Sequence, residues 1–97
     1  MDIVYSVNGV PIRMTAERWF HITLSHDDLN KYYEKILETV ENPDCILAGY
    51  GGTYIAVRGM GKKRYLCVIY KELAPEDGFI VSSYFTSQVD LSKRIWP

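Results

Sequence analysis

Cysteine is nearly missing from the 97 residues: Cys45 and Cys67 stand alone in apolar runs, Cys45-Ile46-Leu47 and Leu66-Cys67-Val68, with no CxxC or Cys/His spacing around them. That excludes a disulfide scaffold and leaves two buried, reduced thiols. Histidine is as scarce, His21 and His26 lying five apart outside any HExxH pattern, so neither a metal nor a cofactor is expected. The longest uncharged apolar run, around residues 65–70, is far short of the roughly 20 residues a membrane span needs. No membrane partner is expected. Met1-Asp2 begins no charged n-region with an apolar stretch behind it, and the cytoplasm is the expected compartment. Gly/Ser linkers, Pro-rich stretches and low-complexity tracts are also missing. Disorder is excluded, and residues 1–97 read as a single domain.

What is present matches ordinary globular usage, with 47% apolar and 24% charged residues. The net charge of −1 is a poor footprint for a nucleic-acid binder, because affinity for phosphate grows with the number of Lys and Arg contacts. The charge is uneven, however: residues 1–50 carry 4 basic and 8 acidic side chains and residues 51–97 carry 7 and 4, giving −4 and +3. The basic half is the half that reads as sheet.

Residues 1–14 predict a β-hairpin, Ile3–Val7 and Val10–Met14 flanking Asn8-Gly9, the dipeptide best able to take positive φ at both centres of a type I′ turn. Pro11 lacks a donor, which places the second strand at the periphery. Residues 15–24 fit either a short helix followed by an extended stretch or a single strand. A helix is predicted over 25–42, where Ser25 caps and Asp27 and Asp28 sit at the positive end. Leu29, Tyr32, Tyr33, Ile36, Leu37 and Val40 then form one apolar stripe, and Asn42-Pro43 stops it. Four apolar segments follow, at 45–50, 53–60, 64–73 and 79–87, separated by Gly51-Gly52, Gly59-Met60-Gly61-Lys62 and Pro75-Glu76-Asp77-Gly78. Such short connections leave no room for crossovers. The expected fold is therefore α+β: one amphipathic helix packed on a four-stranded antiparallel sheet over 45–87, with the N-terminal hairpin beside it. The helix is expected to pack on the sheet face that bears Val81 and Phe85, with Ile95 and Trp96 covering an edge of the core.

Period two in the last strand sets Phe79, Val81, Ser83 and Phe85 on one face and Ile80, Ser82, Tyr84 and Thr86 on the other. Taken alone, that line of hydroxyls is the ordinary polar face of an antiparallel sheet. His21, among Trp19, Phe20 and Ile22, reads most simply as a packed histidine, and His26 as part of a helix start. Arg58 and Lys71 read as strand residues facing water, and Lys62-Lys63-Arg64 as a solvated turn.

Together these residues carry a resemblance. Arg18-Trp19-x-His21-Ile22, His26 before an amphipathic helix, Glu41-Asn42-Pro43-Asp44, two strands with a basic residue each, and Phe79-Ile80-Val81-Ser82-Ser83-Tyr84-Phe85-Thr86 follow one another as in the phage and mobile-element branch of the barnase/EndoU/colicin/RelE-like nuclease superfamily. The chain resembles that branch from Arg18 to Thr86. It departs from the pattern where His26-Asp27-Asp28 stands for His-Pro-Glu and Ser82-Ser83 for Thr-Ala; serine keeps the hydroxyl, and the missing Pro and Glu weaken the helix-start match.

The resemblance implies a helix on a four-stranded antiparallel sheet, with the active site on the sheet face away from the helix. The implied activity is metal-independent cleavage of RNA, in which the substrate's 2′-hydroxyl attacks the adjacent phosphorus. That reaction needs a base, charge stabilisers on the phosphoryl oxygens and an acid at the leaving oxygen. The candidates are His21, His26, Tyr84 and Lys71 for catalysis, and Arg18, Arg58, Ser82 and Thr86 for substrate binding. RNA is the expected partner. A protein-binding module of the same fold without catalysis is the alternative, and a toxin whose antitoxin covers the same face is a third reading.

Overall fold

The computed structural model describes residues 1–97 and opens with strands β1 (Asp2–Tyr5) and β2 (Pro11–Met14), paired antiparallel with Tyr5 opposite Pro11. Their turn differs from the expected type I′. Only Gly9 takes a positive φ, +78°, and its N–H donates to the Ser6 carbonyl at 2.9 Å, while the Ser6 N–H donates to the Val10 carbonyl at 2.9 Å. One left-handed glycine closing a wider loop is the bulged form of hairpin, which asks nothing unusual of Asn8. Glu72 then ties the loop down, accepting from the Ser6 hydroxyl at 2.5 Å and from the Asn8 amide at 3.1 Å.

Residues 15–24 are helical. Helix α1 (Ala16–Ser25) starts at Thr15, whose hydroxyl accepts from the Arg18 N–H at 3.1 Å, and stops where the His26 N–H donates to the Ile22 carbonyl at 2.8 Å. A 3-10 turn over Asp27–Leu29 leads to helix α2 (Tyr33–Glu41). The single helix expected over 25–42 is therefore two helices, and Ser25 ends one instead of capping the next. The apolar stripe is real, since Leu29, Ile36, Leu37 and Val40 are all buried. The chain must still turn between Leu29 and Tyr33 for Ile22 to share that core, and the Trp19 and Tyr33 rings meet edge to face at 4.9 Å across the bend.

The sheet corrects the expected architecture most. Strands β3 (Cys45–Ala48), β4 (Tyr54–Gly59), β5 (Tyr65–Ala74) and β6 (Asp77–Thr86) form the anticipated antiparallel meander, but inside a seven-stranded mixed sheet. Its order is β1-β2-β6-β5-β4-β3-β7, with β7 (Arg94–Trp96) antiparallel to β3. β2 is interior, not peripheral, because it pairs in parallel with β6 through Ile12–Gly78 and Arg13–Phe79. Pro11 lies just before that two-residue ladder, so its missing donor costs nothing there. Gly78 is what lets the strands close: a Cβ on it would lie 2.5 Å from Ile12 Cδ1 and 2.7 Å from the Lys71 carbonyl oxygen.

Ile36, Leu37 and Val40 of α2 and Ile22 of α1 bury against Ala56, Leu66, Val68, Tyr70 and Ile80 of the sheet. Ile80, not Val81, reaches this core. A β-bulge sets Ile69 opposite Ser82 and Tyr70 opposite Ile80, leaving Val81 unpaired between them and inverting the alternation upstream of it. Phe85 keeps its expected side, its ring edge-on to Tyr32 at 4.9 Å and under the Arg64 guanidinium at 3.8 Å. No helix is long and apolar enough to cross a membrane.

Candidate active site

The ladder registers set the sheet face opposite the helices as a grid. One row runs Leu47, Ile55, Ile69, Ser82 and the next Cys45, Val57, Cys67, Tyr84, with Tyr65 opposite Thr86 beyond them. Lys71 and Phe79 pair on the other side of the first row, and Phe79 faces Arg13 across the parallel ladder. These positions alternate with Leu66, Val68 and Tyr70, which point into the helix-side core. Ser82, Tyr84, Thr86 and Lys71 therefore share the face away from the helices.

That face is partly roofed. To pass from the end of β6 to β7 at the far edge of the sheet, residues 87–93 cross back over it, and Val89 packs on Cys45, Leu47, Val57 and Cys67. The Thr86 hydroxyl fixes the start of this strap, donating to the Gln88 carbonyl at 3.0 Å and accepting from the Gln88 N–H at 3.3 Å. Asp90 fixes its end, one carboxylate oxygen accepting from the Ser92 N–H at 3.0 Å and hydroxyl at 2.5 Å. Those bonds hold the Asp90 carboxyl below its usual range.

Between the strap and the β3–β4 loop lies a cleft of about 570 Å³, floored by Leu47, Ile55 and Tyr84 and walled by Tyr50, Gln88, Asp90 and Lys93. Its size falls in the usual range of ligand sites. Lys71 extends its ammonium toward the loop carbonyl of Gly51 at 3.5 Å, beside Tyr50. No three His, Cys, Asp or Glu side chains converge anywhere in the chain. Neither a family model, nor a curated protein, nor a solved structure matches this chain.

The remaining candidates are dispersed. Arg58 is on the helix side, bound to the Asn42 carbonyl at 3.0 Å and paired with Glu38 at 3.1 Å, so its charge ties the end of α2 to β4. His26 is half-buried at the close of α1, and its side chain caps nothing. His21 is exposed on α1, its ring 6.0 Å from that of Phe20. α1 continues from β2 and packs against β6. Arg18 shares a small cleft of about 130 Å³ with Arg13 and Phe79, and His21 follows it one helical turn later on the same side. Arg13 is ion-paired to Asp77, which leaves Arg18 as the available cation there.

Tyr50, Gln88, Asp90 and Lys93 went unnoticed in the sequence. Tyr50 carried a usable signal, an aromatic directly before Gly51-Gly52 in a turn between strands. The strap carried none, because its course over the sheet depends on where β7 pairs.

Burial pushes the Tyr84 phenol above its ordinary value, with the facing Cys67 adding to the effect. Burial likewise raises the Cys67 thiol to about 11 and lifts Cys45. The two cysteines sit two strands apart across Val57, on the order of 9 to 10 Å, too far to bridge without backbone movement. Both thiols are expected to resist alkylation in the native protein at pH 8 and to react fully in denaturant, as read by mass spectrometry. Because the native state holds the Cys67 proton longer than the unfolded chain does, its contribution to stability is complete below about pH 9 and is lost as the pH climbs to about 11.

Proposed function

We propose that the protein is a metal-independent endoribonuclease that binds RNA across the sheet face opposite its helices. The observation that carries this reading is the Tyr84 phenol on the floor of the 570 Å³ cleft, with Lys93 in its wall and Lys71 on the same sheet face reaching the Gly51 carbonyl of the neighbouring loop. A phosphodiester in the cleft would meet cations and a hydroxyl donor together. Charge segregation supports the same orientation, since Glu17, Asp27, Asp28, Glu34, Glu38 and Glu41 all belong to the helical layer. The hairpin tip between β4 and β5 adds Lys62 and Lys63, both exposed and both held at positive φ, +52° and +57°.

In this mechanism His21 takes the proton from the 2′-hydroxyl, and the resulting oxygen bonds to phosphorus as the P–O5′ bond breaks. Lys71 and Ser82 stabilise the charge on the phosphoryl oxygens, Tyr84 donates to the developing oxyanion, and Arg18 holds a flanking phosphate. The leaving 5′-oxygen takes a proton from water and His21 gives its own back to solvent, leaving a 2′,3′-cyclic phosphate and a 5′-hydroxyl. Purified protein incubated with mixed RNA in EDTA is expected to yield those ends and to leave DNA intact. A His21→Ala variant is expected to cut roughly a hundredfold or more slowly.

A second reading rests on the cleft's apolar floor and on the separation of His21, on a helix, from Tyr84, on the sheet: the same face docks a protein and does no chemistry. An antitoxin covering the strap and Tyr84 would combine the two readings. Absence of cutting by wild-type protein at any accessible concentration selects the binding module.

A further inference from the structure

We infer that residues 87–93 form a lid over the sheet face, seated by Val89, that opens while the domain stays folded and sets access to Tyr84; the role in access rests on RNA being the ligand of that face. What the segment covers is the first argument. Cys45, Leu47, Val57 and Cys67 project away from the helices, yet they are only 9%, 5%, 2% and 1% exposed. Ile55, Tyr65 and Tyr84 flank them within the sheet, and Val89 is the one side chain packed on them from outside it.

The second argument is how lightly the segment is held. From Ser87 to Pro97 every side chain but Val89 is exposed. The side-chain hydrogen bonds of the strap, Thr86 with Gln88 and Asp90 with Ser92, close within residues 86–92, so they stiffen it without fastening it to the sheet. Beyond it, β7 meets β3 at two registered pairs with a register shift between them, whereas β3 keeps four with β4. A stretch with one partly buried side chain and its bonds turned inward opens at a lower free energy than the strands beneath it. Val89 is the latch. Closed, the lid leaves Tyr84 facing a cleft of about 570 Å³, room for a compact ligand but not for a polymer lying across the strands. Raised, it joins that cleft to the whole row Cys45, Val57, Cys67, Tyr84.

The test is alkylation of Cys45 and Cys67 by iodoacetamide in the full chain, followed against urea, with RNA cleavage measured in parallel. The slow labelling of wild-type protein is expected to be nearly independent of urea below the unfolding transition, because a lid exposes little surface. Opening also relieves the burial that raises both thiols, so the raised lid frees more thiolate. Val89→Ser should speed labelling roughly tenfold or more while β5 amides keep their protection from hydrogen exchange. Val89→Ile, which keeps an apolar latch, should label as slowly as wild type. The serine variant should also raise RNA cleavage at low substrate by a comparable factor, since more of the protein is in the competent form. Labelling that carries the full urea dependence of global unfolding, or a Val89→Ser variant that labels no faster, overturns the lid. Faster labelling with unchanged cutting overturns its control of access. Thiols released by Val89→Ser with no cutting by any form would keep the lid and discard the nuclease.

Discussion

Replacing Tyr84 by Phe is expected to reduce RNA cleavage by roughly two to four orders of magnitude while the domain remains folded. The change removes one oxygen and keeps the ring that packs beside Cys45, Leu47, Val57 and Cys67. The expected rate loss corresponds to about 3 to 5 kcal/mol of barrier. Removing one hydroxyl from a half-buried ring costs only about 1 kcal/mol of stability. The two effects therefore separate cleanly when circular dichroism and cleavage are measured on the same preparation. Because burial keeps the phenol protonated past its ordinary value, the variant should be impaired equally at pH 6 and pH 8. The variant purified in parallel also controls for contaminating nuclease. Equal cutting by both proteins would show that the activity is not this chain's and would move the reading to the binding module.

Ile80→Ala is expected to cost about 2 to 5 kcal/mol of folding stability, and the neighbouring Val81→Ala clearly less. Ile80 is 1% exposed within the helix-side core, and its truncation would leave a hole against Tyr70 and Val68. Val81 is half-buried at the bulge and belongs to neither core cluster. For a domain near 100 residues each kcal/mol moves the melting temperature by roughly 4 to 8 °C, so urea or thermal melts resolve the difference easily. Simple alternation along β6 makes the opposite forecast, with Val81 the costly position. A larger loss at Val81 than at Ile80 would remove the bulge.

Much of the meander could be read directly, because Gly51-Gly52, Gly59–Lys62 and Pro75–Gly78 punctuate runs of alternating apolar residues and each strand pairs with its neighbour in sequence. The stripe Leu29–Val40 was equally legible as a buried face, although not as the surface of one unbroken helix. Residues 15–24 were ambiguous because Trp19, Phe20, Ile22 and Leu24 satisfy both periods; the Thr15 cap on the Arg18 N–H resolves them as helix. Ser82, Tyr84 and Thr86 could be placed on one face, since all three lie beyond the bulge, where period two is intact.

By themselves, then, the residues determined the α+β class, the core stripe of the helices, the four consecutive strands and the shared face of Ser82, Tyr84 and Thr86. Those features depend on local periodicity and turn chemistry. Tertiary structure alone decided the parallel closure of Ile12–Arg13 on Gly78–Phe79, the return of residues 87–93 across the sheet, the cleft between that strap and Tyr50, and the withdrawal of Arg58 to the helix side. Each of these joins segments distant in the chain. Such contacts form only where the packed core holds both partners in place, and no local pattern encodes them.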